Sequence, residues 1–352
     1  DICPVGALTS KDFRFAERVW YLEKTPSICT GCDIGCNITL EHRSGDIKRY
    51  KPRFNPEVND YWMCDYGRLS HRRYKEYERL LTPRRRTRNG EMAPCSWDEA
   101  LAEVHQLLSD RSAKTPDSAT IIGSGFLSTE EAYLLRRLAD SLDIQNRYVW
   151  VDAGPERIIP TAKGDSRGSD CAPNRRGALL AGLGTSSSPS DREFIAGREF
   201  EKCRVLLIAD SNFGKAANEA QFVEELRKVD TLIVFGWADT RLARAADIAL
   251  PLATPAEISG SYVNAYGRIQ RFEKAYAPVE GARDGVTVFA DLLSRFDENW
   301  TANDTATVLR EMVRDLDIQE LRETDSLPAH GIVLASPTAP ETASVGTSTQ
   351  RS

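Results

Sequence analysis

Long apolar runs are missing from this chain of 352 residues. No stretch approaches the ~18–20 consecutive apolar residues that a bilayer-spanning helix needs. The best candidates, Val205 to Ala209 and Thr231 to Trp237, have the length of buried strands. Any membrane contact therefore has to come through partners. No secretory leader is visible. The chain opens at Asp1, inside what reads as a motif, so an N-terminal part is expected upstream. Histidine is scarce: His42, His71, His105 and His330 have no metal-ligand spacing with one another, and His105 reads as a partly buried helix residue. No Ser/His/Asp set and no paired carboxylates stand at a spacing that argues for catalysis, so no catalytic residue is assigned. An excess of basic charge is also missing. The net charge of −6 argues against the whole chain being a nucleic-acid binder.

What is present is an ordinary globular composition, 41% hydrophobic and 28% charged, long enough for two or three domains. Asn37 to His42 alternates as a strand does, and Ile47 to Tyr50 is its expected partner across Ser44-Gly45-Asp46. Two capping boxes, Ser96 with Glu99 and Ser128 with Glu131, open helices with apolar residues on one face. Strands are expected at Ala119 to Ile122, Tyr148 to Val151, Val205 to Ala209 and Thr231 to Gly236, with a helix over Ala217 to Val229. That alternation predicts an α/β fold: a small β-rich domain followed by a doubly wound parallel sheet with helices on both faces. The expected divisions are 1–20, 21–75, 76–117 (linker and helix), 118–295 and 296–352. The last comprises a C-terminal helix and, from about Pro328, a disordered tail rich in Ala, Ser, Thr and Pro.

The cysteines carry the chemistry. Eight are present. Cys29-x2-Cys32-x3-Cys36 is followed after 27 residues by Cys64. Three thiols on a tight loop can wrap one face of a cubane, and a remote fourth closes it, so the spacing favours a [4Fe–4S] cluster. The competing reading is a tetrahedral four-cysteine zinc site, which more often uses paired C-x2–4-C knuckles. Gly31 and Gly35 lie inside the loop, where backbone has to bend closely around inorganic sulfide. Cys3-Pro4 has the form that closes a second cluster in two-cluster ferredoxins, but on its own it is a weak signal, since a lone buried thiol is the commoner finding. Cys95 and Cys203 read as small apolar fillers, and Cys171 as a loop thiol.

Gly123-Ser-Gly125 follows a strand and precedes a helix, but it lacks the third glycine of a dinucleotide fingerprint and reads as a structural turn. The basic stretch Arg68, His71, Arg72, Arg73, Lys75, Arg79, Arg84, Arg85, Arg86 and Arg88, with Tyr74 and Tyr77 between, reads as a solvated face or a docking surface for an acidic neighbour.

These residues carry a resemblance. Asp1-Ile-Cys-Pro-Val-Gly-Ala-Leu-Thr-Ser-Lys11 resembles the last-ligand motif of the ferredoxin-like region in the G subunit of bacterial NADH:quinone oxidoreductase, respiratory complex I. The four-cysteine set ending in Trp62-Met-Cys-Asp-Tyr-Gly-Arg68 resembles the iron–sulfur domain of that protein and of the wider molybdopterin oxidoreductase family. The Ser96 helix start is similar to the same family. So is the segment Ala246 to Pro251 through Glu257, Gly260, Val263-Asn264 and Gly267-Arg268-Ile-Gln270. The resemblance implies one complete [4Fe–4S] cluster on Cys29, Cys32, Cys36 and Cys64. It makes Cys3 the fourth ligand of a second cluster whose other ligands lie upstream. It implies electron transfer from NADH and flavin toward quinone. The implied partners are the flavin/NADH-binding subunit and the quinone-module subunits of a peripheral arm on the cytoplasmic side of the inner membrane. Catalytic molybdenum or tungsten relatives, such as formate dehydrogenase, place Lys or Arg two residues after the last cluster cysteine. Here that residue is Tyr66. The stretch after Cys64 is also short for such an enzyme, while Cys171 lies near the spacing of their metal-ligating cysteine. On balance the resemblance implies no molybdopterin.

Overall fold

The computed structural model describes residues 3, 5–112, 119–150, 157–160, 166–169, 172–184, 203–209, 220–324 and 326–334. Cys171, the end of the expected strand at Val151, the start of the expected helix at Ala217 and the tail from 335 onward lie outside them.

After a turn-rich segment, three antiparallel strands form a small sheet: β1 (Glu23–Ile28), β2 (Asn37–Arg43) and β3 (Asp46–Pro52). The β2–β3 turn has Ser44 and Gly45 at φ 51° and 75°, the left-handed pair that a two-residue hairpin needs. Ile38, Leu40, Ile47 and Tyr50 bury the inner face of this sheet against Cys29. Two short helices follow, α1 (Asp65–Leu69) and α2 (Arg73–Glu76).

The larger sheet has seven strands. The hairpin of β4 (Arg84–Arg86) and β5 (Met92–Pro94) lies antiparallel at one edge. Helix α3 (Trp97–Ser112) leads to β6 (Ala119–Ser124), α4 (Thr129–Ser141) and β7 (Asn146–Trp150). A two-stranded ribbon, β8 (Arg157–Pro160) with β9 (Ser166–Ser169), and helix α5 (Arg175–Leu180) come next. Then β10 (Val205–Ala209), α6 (Ala220–Leu226), β11 (Thr231–Gly236), α7 (Arg241–Ala245) and β12 (Ile248–Pro251) complete the sheet. Its spatial order is β5-β4-β12-β11-β10-β6-β7. The chain runs outward from β6 to β7, then crosses back to β10 and builds the other way. The topological switch point therefore lies between β6 and β10.

The strands alternate between two cores, which is why they read as continuous apolar runs. Ile121, Leu207, Ile233, Phe235 and Leu250 face the core built by α3, α4 and two later helices, α8 (Gly285–Ser294) and α9 (Thr305–Asp315). Ile122, Leu206, Ile208, Leu232 and Val234 face α6 and α7. Both expected capping boxes form. Glu99 N donates to Ser96 Oγ at 3.2 Å while Ser96 N donates to Glu99 Oε2 at 2.8 Å, and Ser128 and Glu131 do the same.

A third sheet, β13 (Gly260–Val263), β14 (Arg268–Phe272) and β15 (Ile332–Val333), leans on β1. Here the structure corrects the sequence reading: the segment after Pro328, expected to be disordered, supplies an edge strand paired to Arg268 and Ile269. The basic stretch is also less of a free face than expected. Arg79 forms a bidentate pair with fully buried Glu257 at 3.0 and 2.9 Å. Arg84 pairs with Asp239 at 3.1 Å, and Arg86 donates to the carbonyls of Arg244, Ala245 and Ala246 at the end of α7. His105 packs its ring 4.6 Å from Phe296, and Cys203 is buried among the aliphatics of the second core.

Candidate metal centre

The loop between β1 and β2 carries Cys29, Cys32 and Cys36, and Cys64 caps the start of α1. The loop closes on itself where Cys29 N donates to Cys36 O at 2.8 Å. Two glycines bring the loop and the helix together. A Cβ on Gly31 would lie 3.0 Å from Gly67 Cα, and one on Gly67 would lie 2.8 Å from Cys29 Sγ and 3.5 Å from Cys64 Sγ. Their backbone amides point at sulfur. Gly31 N donates to Cys29 Sγ at 3.4 Å, and Gly67 N to Cys64 Sγ at 3.3 Å. Such N–H groups stabilise negative charge on a thiolate ligand.

The thiols are gathered in an apolar, enclosed setting. Burial pushes Cys29 up to about 11, against the Gly31 amide, which pulls it down. Burial raises Cys32 and Cys36 further, and their closeness to Cys29 adds to the rise. For Cys29, Cys32 and Cys36 the fold thus favours neutral thiols in the absence of a cation. Conversion to thiolates requires positive charge at the centre, so loading a metal there releases protons. A tetrahedral zinc would hold its sulfurs ~3.8 Å apart, given Zn–S of about 2.3 Å. A cubane puts four irons between its ligands and suits a wider set. Four thiols brought together from one loop and one helix start are a donor set that an iron–sulfur cluster can use.

The sequence reading assigned no role to the residues that fix this loop. Gln270 on β14 donates from Nε2 to Gly35 O at 3.0 Å and accepts from Asn37 Nδ2. Asn264 donates to Ile34 O at 3.1 Å, and Ala265 N donates to Asp33 O at 2.8 Å. Gly35, expected to bend around sulfide, instead turns at φ 69° with its α-carbon against this clamp. A Cβ there would lie 2.8 Å from Gln270 Nε2 and 3.0 Å from Asn264 Cβ. Arg73 also reaches this region. Its charge lowers the Cys29 thiol, and its guanidinium stands 5.1 Å from the Phe126 ring.

Cys3 stands apart. The backbone N–H groups of Leu8 and Ala7, with those of Val5 and Gly6, hold its thiol below the ordinary value.

The sequence from 79 to 171 and from 173 to 295 matches the family described as Molybdopterin oxidoreductase. The chain belongs to the molybdopterin oxidoreductase family. Residues 22–72 match the NADH-ubiquinone oxidoreductase NDSU1/NuoG-like 4Fe-4S domain. Among curated proteins, the NADH-quinone oxidoreductase G subunit of Streptomyces coelicolor is 35% identical over 208 residues, 57% of this chain and 24% of that protein. NADH-quinone oxidoreductase subunit 3 of Thermus thermophilus is 36% identical over 46% of this chain and 20% of its own length. The corresponding G subunit of Rickettsia felis is 38% identical over 42% of this chain and 21% of that protein. The matched region spans at most about a quarter of these relatives. Acetylene hydratase from Pelobacter acetylenicus shares the fold with a TM-score of 0.60 at 12% identity, over 84% of this chain and 72% of that one.

Other members of the molybdopterin oxidoreductase family hold a pterin, and the switch point is where such a fold seats a ligand. The turn Gly123-Ser124-Gly125 at the end of β6 does not fit a phosphate cradle. A Cβ on Gly123 would lie 2.4 Å from Leu183 Cδ2, and one on Gly125 would lie 2.6 Å from Ala172 Cβ. The close approach that these glycines permit is taken up by the protein's own side chains.

Proposed function

We propose that this chain is an iron–sulfur, electron-transferring part of an NADH:quinone oxidoreductase, with Cys29, Cys32, Cys36 and Cys64 as ligands of one [4Fe–4S] cluster. The observation that carries the reading is the enclosed four-thiol centre with amides of Gly31 and Gly67 on sulfur. Its sequence match to a 4Fe-4S domain of that oxidoreductase supports it. The cluster supplies one-electron chemistry. The protein orders the thiols, excludes water and directs N–H groups at sulfur. Cys3 is assigned to a second cluster whose other ligands lie upstream, supported by the Cys3-Pro4 motif. The α/β domain serves as a packing surface without pterin, supported by Tyr66 after Cys64 and by the filled turn at Gly123 and Gly125. The partners are neighbouring subunits of the oxidoreductase. Through those neighbours it sits on the cytoplasmic side of the inner membrane; no helix among the described residues is long and apolar enough to cross a membrane.

The test is low-temperature EPR of the assembled oxidoreductase reduced with NADH, with and without Cys64→Ser, together with molybdenum and tungsten analysis. Loss of one cubane signal in the variant, with neither metal present, is the expected result. Stoichiometric molybdenum or tungsten with pterin fluorescence would favour the catalytic reading, in which the chain belongs to an enzyme of the formate dehydrogenase kind.

A further inference from the structure

Helix α2 lies against the cysteine loop. Tyr74 packs on the core that holds Cys29, Leu40 and Tyr50, and its hydroxyl stands 3.4 Å from the Oγ1 of Thr30, the residue after Cys29. The residue before it, Arg73, opens the helix and is half-buried. Its guanidinium lies 5.1 Å from the centre of the Phe126 ring, in the turn that follows β6. Arg73 thus sits where the cysteine loop meets the α/β domain.

The cations around it in sequence each have a carboxylate partner. Arg68 has Asp65 at 4.0 Å, Arg72 has Asp12, Lys75 has Asp46 at 2.6 Å and Arg79 has Glu257 at 2.9 Å. Arg73 makes no ion pair among the described residues. An aromatic face attracts a guanidinium but leaves its net charge in place. A cation partly withdrawn from water without a counter-charge is costly. The charge is felt at Cys29, Tyr50, Tyr74 and Tyr262 alike. Glu131 and Glu130 also act on Tyr262, but burial raises them to about 8 and about 7, so near neutral pH they offset Arg73 only in part.

The missing counter-charge is one that the four-thiol centre can supply. A [4Fe–4S] cluster on four thiolates carries net negative charge, and its reduction adds one unit more. A fixed cation nearby stabilises the more negative state. We propose, on the cluster reading of this centre, that Arg73 is a fixed charge that sets the cluster's poise, holding its reduction potential above the value that the thiolates and amides alone would give. It acts through space rather than by ligation.

The test is an EPR-monitored redox titration of the full chain, loaded with iron and sulfide without oxygen. Unit charges ~10 Å apart at an effective dielectric of ~20 shift an equilibrium by roughly tenfold. Arg73→Gln is therefore expected to lower the ratio of reduced to oxidised cluster about tenfold at a fixed potential, which is about 59 mV for a one-electron couple. Arg73→Met, a second neutral variant that keeps an apolar stem beside Phe126, is expected to do the same. Arg73→Lys keeps the charge and is expected to stay near the unaltered protein. Arg72→Gln, whose charge already meets Asp12, is expected to leave the midpoint in place. A midpoint unmoved in both neutral variants, or moved as far by Arg73→Lys or by Arg72→Gln, would overturn the proposal and leave the cluster reading intact. Loss of the cluster from both neutral variants would also overturn it, by making the charge a condition of assembly rather than of potential. No cubane signal in the unaltered protein would instead overturn the cluster reading, and the role of Arg73 with it.

Discussion

Replacing Gln270 with alanine is expected to loosen the cysteine loop from a position that touches no cysteine. Gln270 is 2% exposed, and its amide serves two groups of the loop, Gly35 O and Asn37 Nδ2, that lie 235 and 233 residues away in sequence. Truncation leaves both without this partner in a buried setting. A buried polar group that loses its partner costs about 1–2 kcal/mol, and the lost side-chain volume adds to that, so a total of about 3–4 kcal/mol is expected. Gly35 also loses the contact that its left-handed turn was built to make. The measurement is urea unfolding of the iron-loaded protein, followed both by circular dichroism and by visible absorbance of the cluster. The variant is expected to show a lower midpoint at unchanged slope and faster bleaching by an iron chelator. Gln270→Glu keeps one acceptor for Asn37 and is expected to fall between the two. A stability within about 0.5 kcal/mol of the unaltered protein, the scatter expected of an inconsequential surface change, would refute the clamp.

Three further outcomes are expected. Gly67→Ala places a methyl 2.8 Å from Cys29 Sγ, so iron bound per chain is expected to drop sharply while far-ultraviolet circular dichroism is kept; full iron occupancy would count against the close approach. Arg79→Ala strands the fully buried Glu257 without its bidentate partner and is expected to cost about 3–4 kcal/mol, with Arg79→Lys recovering only part, as read by thermal unfolding. Glu131 is raised by burial, and by Asp284 beside it, to about 8 from an ordinary 4.5. Its neutral form is therefore the stabilising one: that contribution is complete below 4.5 and is lost as pH rises through 8, with an upper bound on the order of 5 kcal/mol. Glu131→Gln is expected to flatten this decline between pH 5 and 8, and identical pH profiles would contradict the assignment.

Much of the fold was legible because its signals are local. The capping boxes at Ser96 and Ser128 and the apolar runs at β10 and β11 depend on neighbours within a few residues. The left-handed Ser44-Gly45 turn is equally local. The four cysteines were legible for a chemical reason, since few roles use that spacing of thiols. What sequence spacing did not carry is the set of contacts made between distant segments. Asn264 and Gln270 stood out as part of a family-like motif, but nothing local says that an amide on β14 holds a loop some 235 residues earlier. Arg79 looked like one charge in a solvated run because its partner Glu257 is 178 residues away. The edge strand at Ile332–Val333 uses two β-favouring residues but is too short to show a strand period, and its pairing with β14 fixes it. Gly35 was read correctly as a residue needing freedom, but the neighbour that demands it is Gln270 rather than sulfide.

What the four-thiol centre holds decides between electron transfer and a structural role. The most direct measurement is iron, acid-labile sulfide and zinc per chain, with EPR, on protein prepared without oxygen, beside a Cys64→Ala variant. About four irons and four sulfides with a reducible cubane signal, all lost in the variant, are predicted. About one zinc per chain with no EPR signal would contradict electron transfer and leave a zinc-stabilised structural module in its place.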